Sequence, residues 1–245
     1  TPNDVTVSFA LTTLILQFGT GGDRLAIAGF NATNALAPSA IAHYQFADGT
    51  MLTHADLVAR GAGLAPSLLT GGTFNGRVVV GGSANDALGA SDLNDILSGG
   101  AGDDFLAGLQ GDDLILGGPG RDELIGYTGS DVLEGGAGDD YLEGGQFGEG
   151  NDTYRYNLGD GLDTVSDGPG CGSEVNELQF GAGITSASIS LAVIDSLLTV
   201  RVGGGNNAGV QFWETQLSDV LGPHDIQMFS FADSTSLTYE QLVAR

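Results

Sequence analysis

Eight aspartates recur through the middle of this 245-residue chain at a spacing suited to holding metal ions. From Gly81 the sequence falls into nine-residue units: GGSANDALG, ASDLNDILS, GGAGDDFLA, GLQGDDLIL, GGPGRDELI, GYTGSDVLE and GGAGDDYLE. GGQFGEGNDTY then repeats the pattern with three extra residues. The sixth position is Asp throughout: Asp86, Asp95, Asp104, Asp113, Asp122, Asp131 and Asp140, with Asp152 closing the series. Carboxylates are hard oxygen donors. A hard cation such as Ca²⁺ takes about six to eight oxygens, and a Gly-rich turn adds backbone carbonyls to the carboxylate. Where such a site is absent from the unfolded chain, binding energy becomes folding energy.

The elements that must position these carboxylates follow from the rest of the unit. Two residues beyond each Asp stands Leu or Ile: Leu88, Leu97, Leu106, Ile115, Leu124, Leu133 and Leu142. A fixed apolar position marks a core and argues against an acidic disordered segment. Nine residues hold one turn and one short strand. Two units then make a flattened coil whose strands stack about 4.8 Å apart as parallel sheets. The odd units keep a double glycine (Gly81 and Gly82, Gly99 and Gly100, Gly117 and Gly118, Gly135 and Gly136) that the even units mostly lose, so a full turn is eighteen residues. Asp86, Asp104, Asp122 and Asp140 then line one edge, and Asp95, Asp113, Asp131 and Asp152 the other. Bare carboxylates about 5 Å apart repel by roughly 3 kcal/mol at an effective dielectric of 20. Three such pairs on each edge cancel a normal stability of about 5 to 15 kcal/mol. The columns need cations between them.

Composition agrees. Asp and Glu number 31 against seven basic residues, all Arg, for a formal net charge of -24, and Gly occurs 42 times. So anionic a surface repels nucleic acid and anionic lipid, which require clustered Lys or Arg. No nucleic-acid partner and no direct membrane insertion are expected, and the favoured partners are calcium ions. An apolar content of 41% is enough for a core. Cys171 is the single cysteine, so an internal disulfide and a thiolate cluster are both excluded within one chain. No run approaches the roughly 18 apolar residues of a spanning segment, and no basic region precedes an apolar run at the N-terminus. The expectation is a fragment, or a chain that leaves the cell without a cleaved N-terminal signal.

A longer period encloses the short one. Ile41 to Arg60 (IAHYQFADGTMLTHADLVAR) matches Ile226 to Arg245 (IQMFSFADSTSLTYEQLVAR) at 11 of 20 positions with an offset of 185. Upstream of each copy, Leu14 to Phe30 resembles Leu198 to Trp213, and both read as a β-hairpin around a Gly-rich turn. The expected organisation is 1–60 as the C-terminal part of a preceding β-rich module, 61–80 as linker and N-terminal cap, 81–152 as the roll, and 153–245 as a β-rich flanking domain. The expectation is a piece of a longer tandem array.

The units resemble the GGxGxDxUx repeats of RTX proteins, the haemolysin-type calcium-binding repeats. GGAGDDFLA, GGPGRDELI and GGAGDDYLE match that pattern at every fixed position. NDTYRYNLGDGLDTVSD, NELQFGAGI and FADST resemble the elements that follow such blocks. The resemblance implies an all-β fold, a parallel β-roll flanked by antiparallel β-rich caps. It implies Ca²⁺ ligands at the sixth-position aspartates and at main-chain oxygens around Gly82, Ala84, Gly100, Gly102, Gly111, Gly118, Gly120, Gly129, Gly136 and Gly138, with Asp163 as a further candidate. It also implies type I secretion of an unfolded chain and folding in extracellular calcium. ASDLNDILS lacks all three glycines and Ala84 replaces a fourth-position Gly, so the even edge is expected to be weaker. Arg121 either weakens its nearest site or points outward. About four to seven ions are expected.

Asp160, Asp163 and Asp167 fit solvated turn carboxylates as well as a terminal calcium site. His43, His54 and His224 lack the spacing of a zinc or catalytic set. Cys171, in GPGCGS, reads as an inert exposed thiol. Trp213, with Phe212, Phe229 and Phe231, reads as core rather than as a sugar-stacking surface. No GxSxG and no nucleophile–His arrangement is present, so no enzyme is expected. The functional expectation is a monomeric calcium-binding structural segment of a large secreted or surface exoprotein of adhesin type, with an unknown glycan or protein as ligand of the flank. The alternative is the C-terminal secretion and folding appendage of a secreted enzyme or toxin.

Overall fold

The computed structural model describes residues 5–10, 13–18, 23–28, 43–45, 51–53, 76–145, 150–167, 175–203, 208–213 and 226–244. Cys171, His54, His224 and residues 61–75 of the expected linker lie outside them.

Among the described residues before position 76 there are five strands: β1 (Val5–Ala10), β2 (Thr13–Phe18) and β3 (Asp23–Ala28) form an antiparallel meander, and β4 (His43–Gln45) pairs antiparallel with β5 (Met51–Thr53). The repeats and the residues flanking them build two eight-stranded sheets. One contains β6 (Val78–Val80), β8 (Ile96–Ser98), β10 (Leu114–Leu116), β12 (Val132–Glu134), β14 (Thr153–Tyr156), β16 (Glu177–Phe180), β20 (Met228–Phe231) and β21 (Ser236–Thr238), in that spatial order. The other runs β7 (Ala87–Gly89), β9 (Phe105–Gln110), β11 (Glu123–Thr128), β13 (Tyr141–Glu143), β15 (Leu162–Ser166), β19 (Gly209–Phe212), β18 (Leu197–Val202) and β17 (Ile189–Ile194). Successive units feed the sheets alternately, which makes eighteen residues the coil period.

The apolar eighth positions stack directly on one another because pairing is parallel and in register. Leu88 lies beside Leu106, Leu106 beside Leu124 and Leu124 beside Leu142 in one sheet; Leu97, Ile115 and Leu133 do the same in the other. Leu97, Leu106, Ile115, Leu124 and Leu133 are wholly buried, and Leu142 nearly so. Two columns of branched side chains meeting between two sheets are the core of the roll, since one face of each short strand has nowhere else to bury its apolar area.

Both columns continue past residue 152. Leu133 is followed by Tyr154, Leu178 and Phe229, and Leu142 by Val165 and Phe212, all in parallel register. The larger rings fill a core that widens as the turns lengthen, with Phe180 stacked on Phe231 at 5.3 Å between centroids. The parallel sheets end in antiparallel additions, β17–β18–β19 on one and β20–β21 on the other. A short helix α1 (Tyr239–Val243) follows, capped by Thr238, whose side chain accepts from the Gln241 N–H while the Gln241 side chain accepts from Thr238.

The expected placement of Trp213 in the core needs correcting. Phe212, Phe229 and Phe231 are buried, but Trp213 is 59% exposed. It follows Phe212 directly, and successive strand residues face opposite ways.

Candidate metal centre

Each sixth-position Asp sits at the turn immediately before its strand, so the 18-residue stacking that aligns the leucines also aligns the carboxylates. On the odd edge, the backbone N–H of Asp86 donates to Asp104 Oδ1 (2.7 Å), that of Asp104 to Asp122 (2.8 Å), that of Asp122 to Asp140 (2.8 Å), and that of Asp140 to Asp163 (3.2 Å). The even edge repeats this from Asp95 to Asp113 (2.7 Å), Asp113 to Asp131 (2.8 Å) and Asp131 to Asp152 (2.8 Å). From Asp104 on the odd edge and Asp113 on the even edge, each carboxylate thus spends one oxygen on locking its turn to the one before.

The other oxygen is left over. Oδ2 of Asp104, Asp113, Asp122, Asp131 and Asp140 is buried and has no hydrogen-bond partner, and none of these residues is more than 3% exposed. A buried, uncompensated carboxylate oxygen costs several kcal/mol, on the order of a lost charge-assisted hydrogen bond or more. Burial pushes Asp113 up to about 9, with neighbouring carboxylates adding and the Asp95 N–H opposing. Asp131 rises to about 8 and Asp140 to about 7 for the same leading reason, and Asp122 to about 6. Asp163 rises to about 9, burial first and the Asp140 charge second.

The free oxygens face a cradle that only glycine leaves open. A Cβ added to Gly99 would meet the Gly117 carbonyl oxygen at 2.8 Å and Asp104 Oδ2 closer still, and one on Gly117 would meet Gly135 O at 2.5 Å and Asp122 Oδ2. On the even edge Gly108 stands likewise between Asp113 Oδ2 and Gly126 O (2.9 Å), and Gly126 between Asp131 Oδ2 and Gly144 O (2.5 Å). Carboxylate and carbonyl oxygens converging beside a glycine Cα are the donor set of a hard divalent cation. Bound there, such an ion supplies the positive charge that the orphaned oxygens lack.

The glycines singled out in the second and fourth positions do a related job. Gly100, Gly102, Gly111, Gly118, Gly120, Gly129, Gly136 and Gly138 all have φ between 98° and 155°. Each also lies so close to the backbone of the preceding turn that a Cβ could not be placed: Gly102 over Ala84, Gly118 over the Gly100 carbonyl, Gly129 over the Gly111 carbonyl. Gly82 O accepts from the Ala101 N–H at 2.9 Å. The first carboxylates of the two columns are partly satisfied within their own turns. Asp86 Oδ2 accepts from the Gly82 N–H (2.7 Å), and Asp95 Oδ2 from both the N–H and the hydroxyl of Ser91 (2.7 Å each).

Three features escaped sequence reading. The first-position glycines that frame the cradles looked like mere partners of the second. The fifth position carries an outer ladder of opposite sense: Asn85 Oδ1 accepts from the Asp103 N–H (3.0 Å), and Asp103 Oδ1 from the Arg121 N–H (2.9 Å). Arg121 is exposed, and a guanidinium accepts nothing, so it ends that ladder's run until Asp139 accepts from Leu162 (2.9 Å). Finally the even column continues in amides: the Asp152 N–H donates to Asn176 Oδ1 (2.8 Å), and the Asn176 N–H to Gln227 Oε1 (2.6 Å). Asn176 also donates to Asp167, and the buried Tyr154 hydroxyl accepts from the Gly144 N–H at 2.7 Å beside Asp152. The signal for Asn176 was its place two residues before Leu178, the same offset that marks every repeat Asp.

Comparison with known proteins agrees on the repeats. The family RTX calcium-binding nonapeptide repeat (4 copies) matches residues 80–115, 89–124 and 116–147. No curated protein sequence matches the chain. Among solved structures, the chain is similar to the crystal structure of the extracellular lipase LipA from Serratia marcescens, with 19% identity and a TM-score of 0.37. The match covers 89% of this chain and 30% of the lipase, so the chain spans under a third of that relative's length.

Proposed function

Residues 80–147 belong to the RTX calcium-binding nonapeptide repeats, and from that premise we propose that the chain is a non-catalytic module that folds when Ca²⁺ fills its turns. The observation that carries the reading is the set of five buried carboxylate oxygens without partners, each beside a glycine cradle. The ions would be held by the sixth-position aspartates with the turn carbonyls around them. Four gaps between successive aspartates on the odd edge, ending at Asp163, and three on the even edge set an upper bound of seven within the range of four to seven ions.

Extracellular calcium, at millimolar levels, suits sites of this kind, whose affinities in extracellular modules are weak. The reading therefore includes secretion as an unfolded chain and folding outside the cell, as a structural segment of a large adhesin-like exoprotein. The repetition of the cap at a 185-residue interval supports an extender that gains length copy by copy. Circular dichroism over a calcium titration tests it. At pH 8, β-sheet signal must rise with Ca²⁺ and fall with chelator; a spectrum indifferent to both overturns the proposal.

A further inference from the structure

The duplicated sequence at the two ends of the chain folds into a duplicated structure. β1 and β2 pair in the register Val5 with Phe18 to Ala10 with Thr13. β17 and β18 reproduce this 184 positions later, from Ile189 with Val202 to Ile194 with Leu197. β3 lies against β2 as β19 lies against β18, Leu14 facing Ile27 and Leu198 facing Phe212. β4 and β5 recur in β20 and β21, the pair His43 and Thr53 becoming Met228 and Thr238.

The two copies differ in what lies beyond them. β19 adds in parallel to β15, with the N–H groups of Gly209 and Trp213 donating to the carbonyls of Gly161 and Val165 at 2.9 Å each. β20 adds in parallel to β16. Among the described residues, β3 has β2 on one side and no strand on the other, and β4 has only β5. Leu25 of β3 is 48% exposed, whereas its counterpart Val210, opposite Asp163 of β15, is 1% exposed.

We propose that the strands β1 to β5 are a docking unit for the end of a nonapeptide roll, the same structure that this chain's β15 and β16 present to β19 and β20. The occupant is the last turn of a like module, added strand by strand in parallel register to the outer edges of β3 and β4. An open strand edge presents a row of N–H and C=O groups for such addition, and the second copy displays which partner those groups take. Joined in this way, modules form a filament in which each cap closes the roll before it and leads into the next. This deepens the structural reading above and rests on it for a folded roll.

A cap transplant tests the proposal. Residues 189–245 of the full chain are replaced by residues 5–60, and thermal unfolding at saturating Ca²⁺ is compared with the unaltered chain and with a chain ending at residue 188. The transplant is expected to recover at least half of the melting shift lost on truncation. Ala26→Pro within the transplanted segment must abolish that recovery, because Ala26 corresponds to Gln211, between the outward N–H groups of Gly209 and Trp213, and Pro has no N–H to donate. The copies diverge at Arg24, the counterpart of Gly209, whose φ is 145°, so a second transplant carries Arg24→Gly. The proposal is overturned if both transplants melt with the truncated chain, or if the Pro variant recovers as well as its parent. Failure of the calcium reading is read separately, from an unaltered chain whose spectrum ignores Ca²⁺.

Discussion

At the scale of single residues, each repeat aspartate divides its work between two oxygens. Asp122 shows the division: Oδ1 accepts the Asp104 N–H, while Oδ2 is buried without a partner. Asp122→Asn keeps an acceptor for the backbone and removes the charge. It is expected to lower calcium stoichiometry by one or two ions and raise the calcium midpoint on the order of tenfold, as measured by calorimetry. Acidity tests the same groups without metal. Asp113 and Asp163 stand near 9 and Asp131 near 8, against an ordinary value of 3.8. Between these limits the folded, metal-free roll holds protons that the unfolded chain has released, so its stability falls as pH rises from about 4 to about 9. With Ca²⁺ the trend reverses, because the ligands must be deprotonated. Chelated protein should therefore show more β-sheet by circular dichroism at pH 5.5 than at pH 8, and calcium-loaded protein should be the more stable at pH 8.

At the scale of the element, the turn decides which residues are tolerated. Gly118 has φ 115° and sits on the Gly100 carbonyl, while Gly159 has φ 102° in open space. A left-handed Ala costs roughly 1–2 kcal/mol by itself. Gly159→Ala should lose about that much, and Gly118→Ala clearly more, because the turn below must also move; melting in Ca²⁺ separates them. Near the ends of β9 and β11, Leu109 stands at φ 80° and Tyr127 at φ 75°, 38% and 44% exposed. Leu109→Gly removes that strain but gives up the buried part of a side chain that is 38% exposed, so the two effects oppose and stability measured by melting is expected to move by no more than about 1 kcal/mol. In the strands, Leu124→Ala opens a wholly buried position in the column and should cost about 2–5 kcal/mol. The even units lacked glycine at a position that the fold still drives to positive φ. The expectation of a weaker even edge stands beside this: the even turns carry positive-φ Leu109 and Tyr127 and keep the aspartate ladder of the odd edge.

For the whole molecule, the sheets pass through residue 152 without a break, so loss of ions from the roll removes the support of β14 to β20 as well. Chelation is expected to expand the chain from a radius of gyration of roughly 18 Å, typical of a compact chain of this length, toward roughly 54 Å, as small-angle scattering would record. The nonapeptide period alone determined the parallel roll, its two leucine columns and its two edges of aspartates, because a repeat of fixed length can stack in only one register that buries every Leu. The tertiary structure alone decided the rest. Which carboxylate oxygen remains free depends on a backbone N–H eighteen residues earlier. Asn176 and Gln227 join the ladder through lengthened turns that hide the period. That β3 and β4 have, among the described residues, no strand where their copies β19 and β20 have β15 and β16 is recognisable only by comparing the two copies, since an edge is a relation between strands and no single segment carries it.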